Sequence, residues 1–302
     1  MTRKHASARI AFVLVGLAVL ASAAIAQQPD WANVDRTFGR KGSALAGGVV
    51  KYGFPRTDLR VTVQGVRLKP AFALGGWVAF RDIGAGRAMA MGDLVLTESE
   101  VEPVIRALQR GGVEQTALHN HLLGETPRIL YMHVHAMGDP VKIAQAIRGA
   151  LAATKTPLTP RAGPPAAAPD LDTAAIARAL GVSGAMNGGV YQVGIPRRDT
   201  VRAEGNVIPP TMGVATGINF QPTGKGRAAV TGDFVLAASE VNPVIRALTD
   251  HGIAMTALHS HMLQEQPRLF FMHFWGDGDA VALARGLAAA LDRMAVRRPG
   301  AP

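Results

Sequence analysis

The chain has 302 residues, 48% of them hydrophobic and only 18% charged, with a formal net charge of +10. That apolar content suffices for a folded core and excludes a disordered chain. Cysteine is absent, which excludes disulfides, thiolate metal ligands, a cysteine nucleophile and lipid attachment through an N-terminal cysteine. The basic residues are scattered among acids rather than run together, which argues against nucleic acid as a partner.

Residues 1–26 read as a secretory signal peptide. Arg3, Lys4 and Arg9 form a positive start, Ile10 to Ala23 is an apolar run, and Ala24-Ile25-Ala26 offers a small-x-small cleavage site. The competing reading is an uncleaved membrane anchor, since a helical span needs roughly 20 apolar residues. Cleavage would leave a periplasmic or secreted protein with no transmembrane segment. Its positive excess suits a cell-envelope component such as an acidic polymer.

The rest is an internal repeat. Gly92 to Asp139 matches Gly232 to Asp279 at a constant shift, with more than half the positions identical and no gap. Upstream, GGVVKYGFPRTD at Gly47 to Asp58 answers GGVYQVGIPRRD at Gly188 to Asp199. These matches give a first repeat over 27–155, a Pro- and Ala-rich linker over 156–171, a second repeat over 172–293 and a tail over 294–302.

Within the first repeat, Val34 and Phe38 mark an amphipathic helix ending at Gly39. Short β-like runs follow at Val49 to Phe54, Leu59 to Leu68 and Trp77 to Phe80, then a strand from Ala88 to Leu96. Val101, Val104, Ile105 and Leu108 have helical spacing, with Pro103 placed in the first turn and Gly111-Gly112 as the stop. Gln115 to Leu123 and Arg128 to His135 form a hairpin. A final helix begins with Asp139 as cap and Pro140 at its first position. The expected fold class is α+β: two tandem homologous modules, each a mainly antiparallel sheet with helices on one face, running from a strand-rich start to β-α-β-β-α.

The hairpin carries the chemistry. Alternation along a strand puts His119 and His121 on one face, with Leu118 and Leu122 on the other. On the second limb, His133 and His135 share a face, while Leu130, Met132 and Val134 turn toward the helices. If odd residues pair with odd, His119, His121 and His133 converge, with Glu125 at the turn, because opposed residues lie about 5 Å apart. The second repeat keeps His259, His261, Glu265 and His273, and has Trp275 in place of His135, which makes His135 optional. Neutral imidazole and carboxylate together suit a divalent transition metal, zinc foremost. The competing reading is a structural histidine set duplicated along with everything else. Met132 and Met272 point to the other face and read as core rather than copper ligands. The spacing His-x-His-x-x-x-Glu has the local ligand logic of a cupin metal motif.

Among the remaining repeated residues, Arg56 and Arg197 lie in Pro-Arg-x-Asp motifs. They suit either an anionic ligand or a turn with a local ion pair. Arg128 and Arg268 are candidates for substrate contact. Asp93 and Asp233 read as turn residues ahead of a strand, and Glu100 and Glu240 as carboxylates favoured at a helix start. No nucleophile elbow, phosphate loop or dinucleotide fingerprint lies between a strand and a helix.

The strings GDLVL, EVEPVIRAL, TALHNHLLGETPR and YMHVHAMGDP, with GGVVKYGFPRTD before them, resemble the LppY/LpqO family of exported bacterial proteins. The resemblance implies export and a duplicated domain of unknown function, and brings no catalytic assignment. The members that name that family are lipoproteins, and this chain lacks the cysteine such anchoring needs. The functional expectation is an exported metal-binding protein of otherwise unknown function. The alternatives are a metal-dependent hydrolase of an envelope component, with Glu125 or Glu265 as base, and a non-catalytic binder of an anionic glycan or peptide through its arginines.

Overall fold

The computed structural model describes residues 28–159 and 170–298. The signal-peptide expectation lies outside these residues, as do most of the expected linker and the end of the tail.

The first module runs α1 (Trp31–Phe38), β1 (Ser43–Leu45), β2 (Val49–Pro55), β3 (Thr62–Val63), β4 (Val66–Arg67), α2 (Pro70–Ala73), β5 (Gly75–Gly84), β6 (Arg87–Thr97), α3 (Glu98–Arg110), β7 (Glu114–His119), β8 (Ile129–Gly138) and α4 (Pro140–Leu151). The second repeats this as α5 (Thr173–Leu180), β9 (Ala185–Asn187), β10 (Val190–Pro196), β11 (Arg202–Ala203), β12 (Asn206–Val207), a 3-10 turn at Pro210–Met212, β13 (Ala215–Gly224), β14 (Arg227–Leu236), α6 (Ala238–Thr249), β15 (Ala254–His259), β16 (Glu265–Gln266), β17 (Phe270–Asp279) and α7 (Ala280–Leu291). Each module is an antiparallel six-stranded sheet, ordered β1-β2-β5-β6-β8-β7 in the first and β9-β10-β13-β14-β17-β15 in the second.

Local chemistry sets the boundaries. Asp30 accepts the Asn33 amide at 3.0 Å to start α1, and Gly39 at φ +64° ends it. Helix α3 begins three residues earlier than the apolar spacing suggests. Glu100 reaches back to the Thr97 amide at 2.9 Å, so Pro103 sits inside the helix rather than in its first turn. The run from Leu59 to Leu68 folds back on itself at Gln64-Gly65, both at positive φ, giving two short strands in place of one.

One face of each sheet is covered by its own helices. Met132 and Val134 pack there with Val104, Leu108 and Ile147, while Met272 and Phe274 do so in the second module. Leu118 departs from that plan. It lies on the edge strand β7 and is 48% exposed. The other faces of the two sheets meet, so the molecule is layered helix, sheet, sheet, helix.

Each module lends an arm to the sheet of the other. The β3-β4-α2 arm of the first lies on the second sheet, with Lys69 N–H donating to Gln221 Oε1 at 2.8 Å and Gln221 Nε2 returning a bond to the Arg67 carbonyl at 2.8 Å. Phe72 meets Trp275 edge-on at 6.2 Å. The arm of the second reciprocates: Val201, Ile208, Met212 and Val214 pack with Val49, Ala79, Met89 and Met91. Two apolar clusters thus fill the flanks of the inter-sheet layer, and its middle holds histidine.

Candidate metal centre

The hairpin register pairs odd residues with odd. Ala117 opposes His133 and His119 opposes Tyr131, with a bulge between Gln115 and Ala117. One row crosses the first sheet as Gly53, Trp77, Asp93, His133 and Ala117. Its counterpart crosses the second as Gly194, Gly217, Asp233, His273 and Ala257. His119 and His259 end their edge strands one row along, and His121 and His261 follow in the connecting loops.

These edge strands lie beside each other at a pseudo-two-fold axis. Thr116 Oγ1 donates to the His261 carbonyl at 2.6 Å, and Thr256 Oγ1 donates to the His121 carbonyl at 2.5 Å. The rings of His119 and His259 stack across the axis at 3.6 Å, flanked by His121 on His273 at 3.8 Å and His133 on His261 at 3.7 Å. Each loop histidine also lies on an aromatic ring of its own module: His121 on Tyr131 at 3.3 Å, and His261 on Phe271 at 3.4 Å. The two copies therefore build one centre, not two.

Two carboxylates complete it. His121 Nε2 stands 3.4 Å from Asp93 Oδ2, and His261 Nε2 stands 3.1 Å from Asp233 Oδ2. His273 Nδ1 is fixed by the Gly232 carbonyl at 2.8 Å, leaving its Nε2 directed into the cluster. The Nε2 atoms of all six histidines, with one oxygen each of Asp93 and Asp233, are buried without a hydrogen-bond partner. Buried polar atoms are ordinarily satisfied, so eight orphans in one cluster make it a candidate ligand site. Ligand atoms of His119, His133 and His259 lie within 4.8 Å of one another, as do those of His119, His121 and His273. The donor set, imidazole with carboxylate, fits a first-row divalent ion.

Burial determines the charge state. Desolvation, reinforced by neighbouring histidines, holds His121, His133 and His259 well below the usual imidazole range and His261 at about 3, so their nitrogens keep free lone pairs at neutral pH. Burial pushes Asp233 up to about 6. A cavity of about 1210 Å³ opens onto this centre, lined at its base by Asp93, His121, His133, Asp233, His261 and His273.

Several sequence expectations need correction. Glu125 and Glu265 do not join the histidines. Each carboxylate folds back to accept the amide four residues on, Ile129 at 3.0 Å and Leu269 at 3.0 Å, and Glu265 also takes Arg268 at 3.2 Å. They close the loops that carry His121 and His261. Asp93 and Asp233 are not turn residues but the middle of long strands. The sequence did carry a signal for them: each is the sole acid in a mostly apolar strand, and both copies keep it.

Arg56 and Arg197 are not substrate contacts. Arg56 is fully buried and bonds Glu100 at 2.7 Å, Asp58 at 2.8 Å and the Val95 carbonyl at 2.7 Å. Arg197 repeats this with Glu240, Asp199 and Val235. Glu100 and Glu240 therefore serve as arginine partners as well as helix starters. Arg128 is exposed beside Glu98, and Arg268 bonds Ser260 on the loop surface. His135 lies one row from the cluster, near Glu114 at 3.6 Å.

The chain belongs to the family described as Domain of Unknown Function (DUF1259), whose model matches residues 32–153 and again 174–293. No curated protein matches it. Among solved structures, EtuB from Clostridium kluyveri is similar at 12% identity over 83% of this chain and 91% of that one, with a TM-score of 0.21. The trimeric bacterial microcompartment shell protein PduB matches at 15% identity over 83% and 89%, with a TM-score of 0.20. Superpositions this poor carry no argument about fold or assembly.

Proposed function

We propose that this DUF1259 member is an exported protein that binds a divalent transition metal, zinc foremost, at a single centre shared by its two copies. The observation that carries the reading is the set of six imidazole Nε2 atoms buried without partners across the pseudo-two-fold axis. A purely structural histidine set would spend those nitrogens on backbone or carboxylate partners. Here Nδ1 of His273 is spent in that way, on the carbonyl of Gly232, while its Nε2 is kept free. One nitrogen anchored and the other free is how proteins orient a histidine ligand. Export rests on the positive-apolar-small order of the first 26 residues and on the resemblance to the LppY/LpqO family. Among the described residues, no helix is long and apolar enough to cross a membrane.

The test is elemental analysis of the mature protein, purified without a polyhistidine tag and without chelator. A stoichiometric transition metal is expected, and it should be lost when His121→Ala and His261→Ala are combined. The double variant should keep the circular dichroism of the parent. Full metal content in that variant, or a parent that neither carries nor takes up zinc, copper or manganese, would refute the assignment.

A further inference from the structure

The pseudo-symmetry that builds the centre is broken in the cavity leading to it. On the first sheet, Lys51 of β2 extends over the ring of Trp77, its Nζ 4.0 Å from the ring centroid. The Trp77 ring rests in turn on Gly213, at φ +87°, where a Cβ would meet it at 2.8 Å. Both Lys51 and Trp77 line the cavity that opens on Asp93 and the histidines. The equivalent positions on the second sheet are Gln192 and Gly217. Gln192 is committed, donating to the Ala71 carbonyl at 2.8 Å and accepting from Asn187 at 2.9 Å. Gly217 leaves open space where the first sheet has an indole.

Among the described residues, no carboxylate or carbonyl takes a hydrogen bond or ion pair from the Lys51 ammonium. The cavity's other lysine, Lys69, donates to the Gly189 carbonyl at 2.8 Å and is spent on joining the modules. A half-buried ammonium with three donors, seated on an aromatic face and facing a cavity, has the chemistry of an anion anchor. The acids at the base of the cavity, Asp93 and Asp233, would repel an anion. A bound divalent cation reverses that local field.

We propose that the cavity binds a small oxyanion-bearing molecule, carboxylate or phosphate, anchored at one end by Lys51 on Trp77 and drawn at the other by the metal centre. The inference deepens the metal reading and rests on it for the second contact, whereas the Lys51 contact stands alone. The cavity is somewhat larger than a typical small-molecule pocket, roughly 300–1,000 Å³, so the occupant is a small molecule or the end of a larger one.

The experiment titrates the purified mature protein, as isolated and after zinc loading, with sodium acetate and with inorganic phosphate. Sodium chloride of matched ionic strength is the control, tryptophan fluorescence is followed, and metal content is measured on the same samples. Parent protein should give a saturable change. Lys51→Gln, which installs the residue of the second copy, should weaken it by about tenfold or more, equivalent to about 1.4 kcal/mol, with metal content unchanged. Lys51→Arg should restore most of it. Whichever of acetate and phosphate saturates at lower concentration identifies the oxyanion class. Equal titrations of parent and Lys51→Gln, or a response that merely follows ionic strength, would overturn the anchor. A metal-free parent whose titration still depends on Lys51 would sink the metal reading and leave the anchor standing.

Discussion

Arg56 is the residue whose role is most easily mistaken. A conspicuous Pro-Arg-x-Asp motif kept in both copies resembles a ligand-binding signature, and a guanidinium is the usual partner for carboxylates and phosphates. Its surroundings are the protein itself. Asp58, Glu100 and the Val95 carbonyl use its donors, and the other oxygen of Glu100 accepts the Lys155 amide at 2.8 Å, tying the end of the module to the start of α3. Removing one partner of a buried pair strands the others, at a cost of about 3–5 kcal/mol. Arg56→Ala is therefore expected to lower the urea midpoint of the protein strongly. A variant of parental stability that had lost a ligand would restore the substrate-contact reading. Asp93 shows the converse error. An acid after glycine suggests a turn, yet its strand continues on both sides and sets it beside His133 in the neighbouring strand.

At the scale of elements, the rows crossing the two sheets need glycine where backbones crowd. A Cβ at Gly232 would run into the Gly217 carbonyl oxygen, and one at Gly92 would meet the Trp77 carbonyl at 2.7 Å. Both glycines immediately precede the aspartates of the centre. Gly232→Ala should push β14 from β13 and displace Asp233 and His273. The expected signs are a stability loss of about 1–3 kcal/mol, as for overpacked sites, together with reduced metal content. Unchanged metal content in a clearly destabilised variant would separate the two roles. The order of helices and strands could be read from the sequence because spacing, caps and breakers are local. So could the shared face of His119 and His133, which follows from parity, whereas His121 lies in the loop past the end of β7. The arms could not. The run from Leu59 to Leu68 is apolar because it packs on the opposite module, and nothing local distinguishes that from a strand in its own sheet. The same limit hid the union of the two histidine sets, which depends on how the modules face each other.

For the whole molecule, the centre makes folding sensitive to acid. In an unfolded chain, His121, His133, His259, His261 and His273 take up protons as the pH falls through about 6.5. In the fold, burial keeps all five below that range. Glu125 and Asp233 act in the opposite sense: burial raises them to about 7 and about 6, so near pH 5 the fold holds two protons that the unfolded chain has released. The unfolded state then binds roughly three more protons than the native state, a slope of about 4 kcal/mol per pH unit. Metal-free protein should thus be stable above pH 6.5 and lose stability steeply below it. Urea midpoints at pH 7.5 and 5.5 test this, and a flat or rising trend toward acid would contradict the burial of neutral imidazoles.

A site lying on a rotation axis cannot distinguish one end of its guest from the other, because each approach has an identical twin. Joining the two halves in one chain lifts that restriction, since corresponding positions are then free to differ. Lys51 opposite Gln192, and Trp77 opposite Gly217, are such differences, and they give this centre a front and a back. A molecule with unlike termini would then enter in one sense, where a strictly symmetric site offers two equivalent ones.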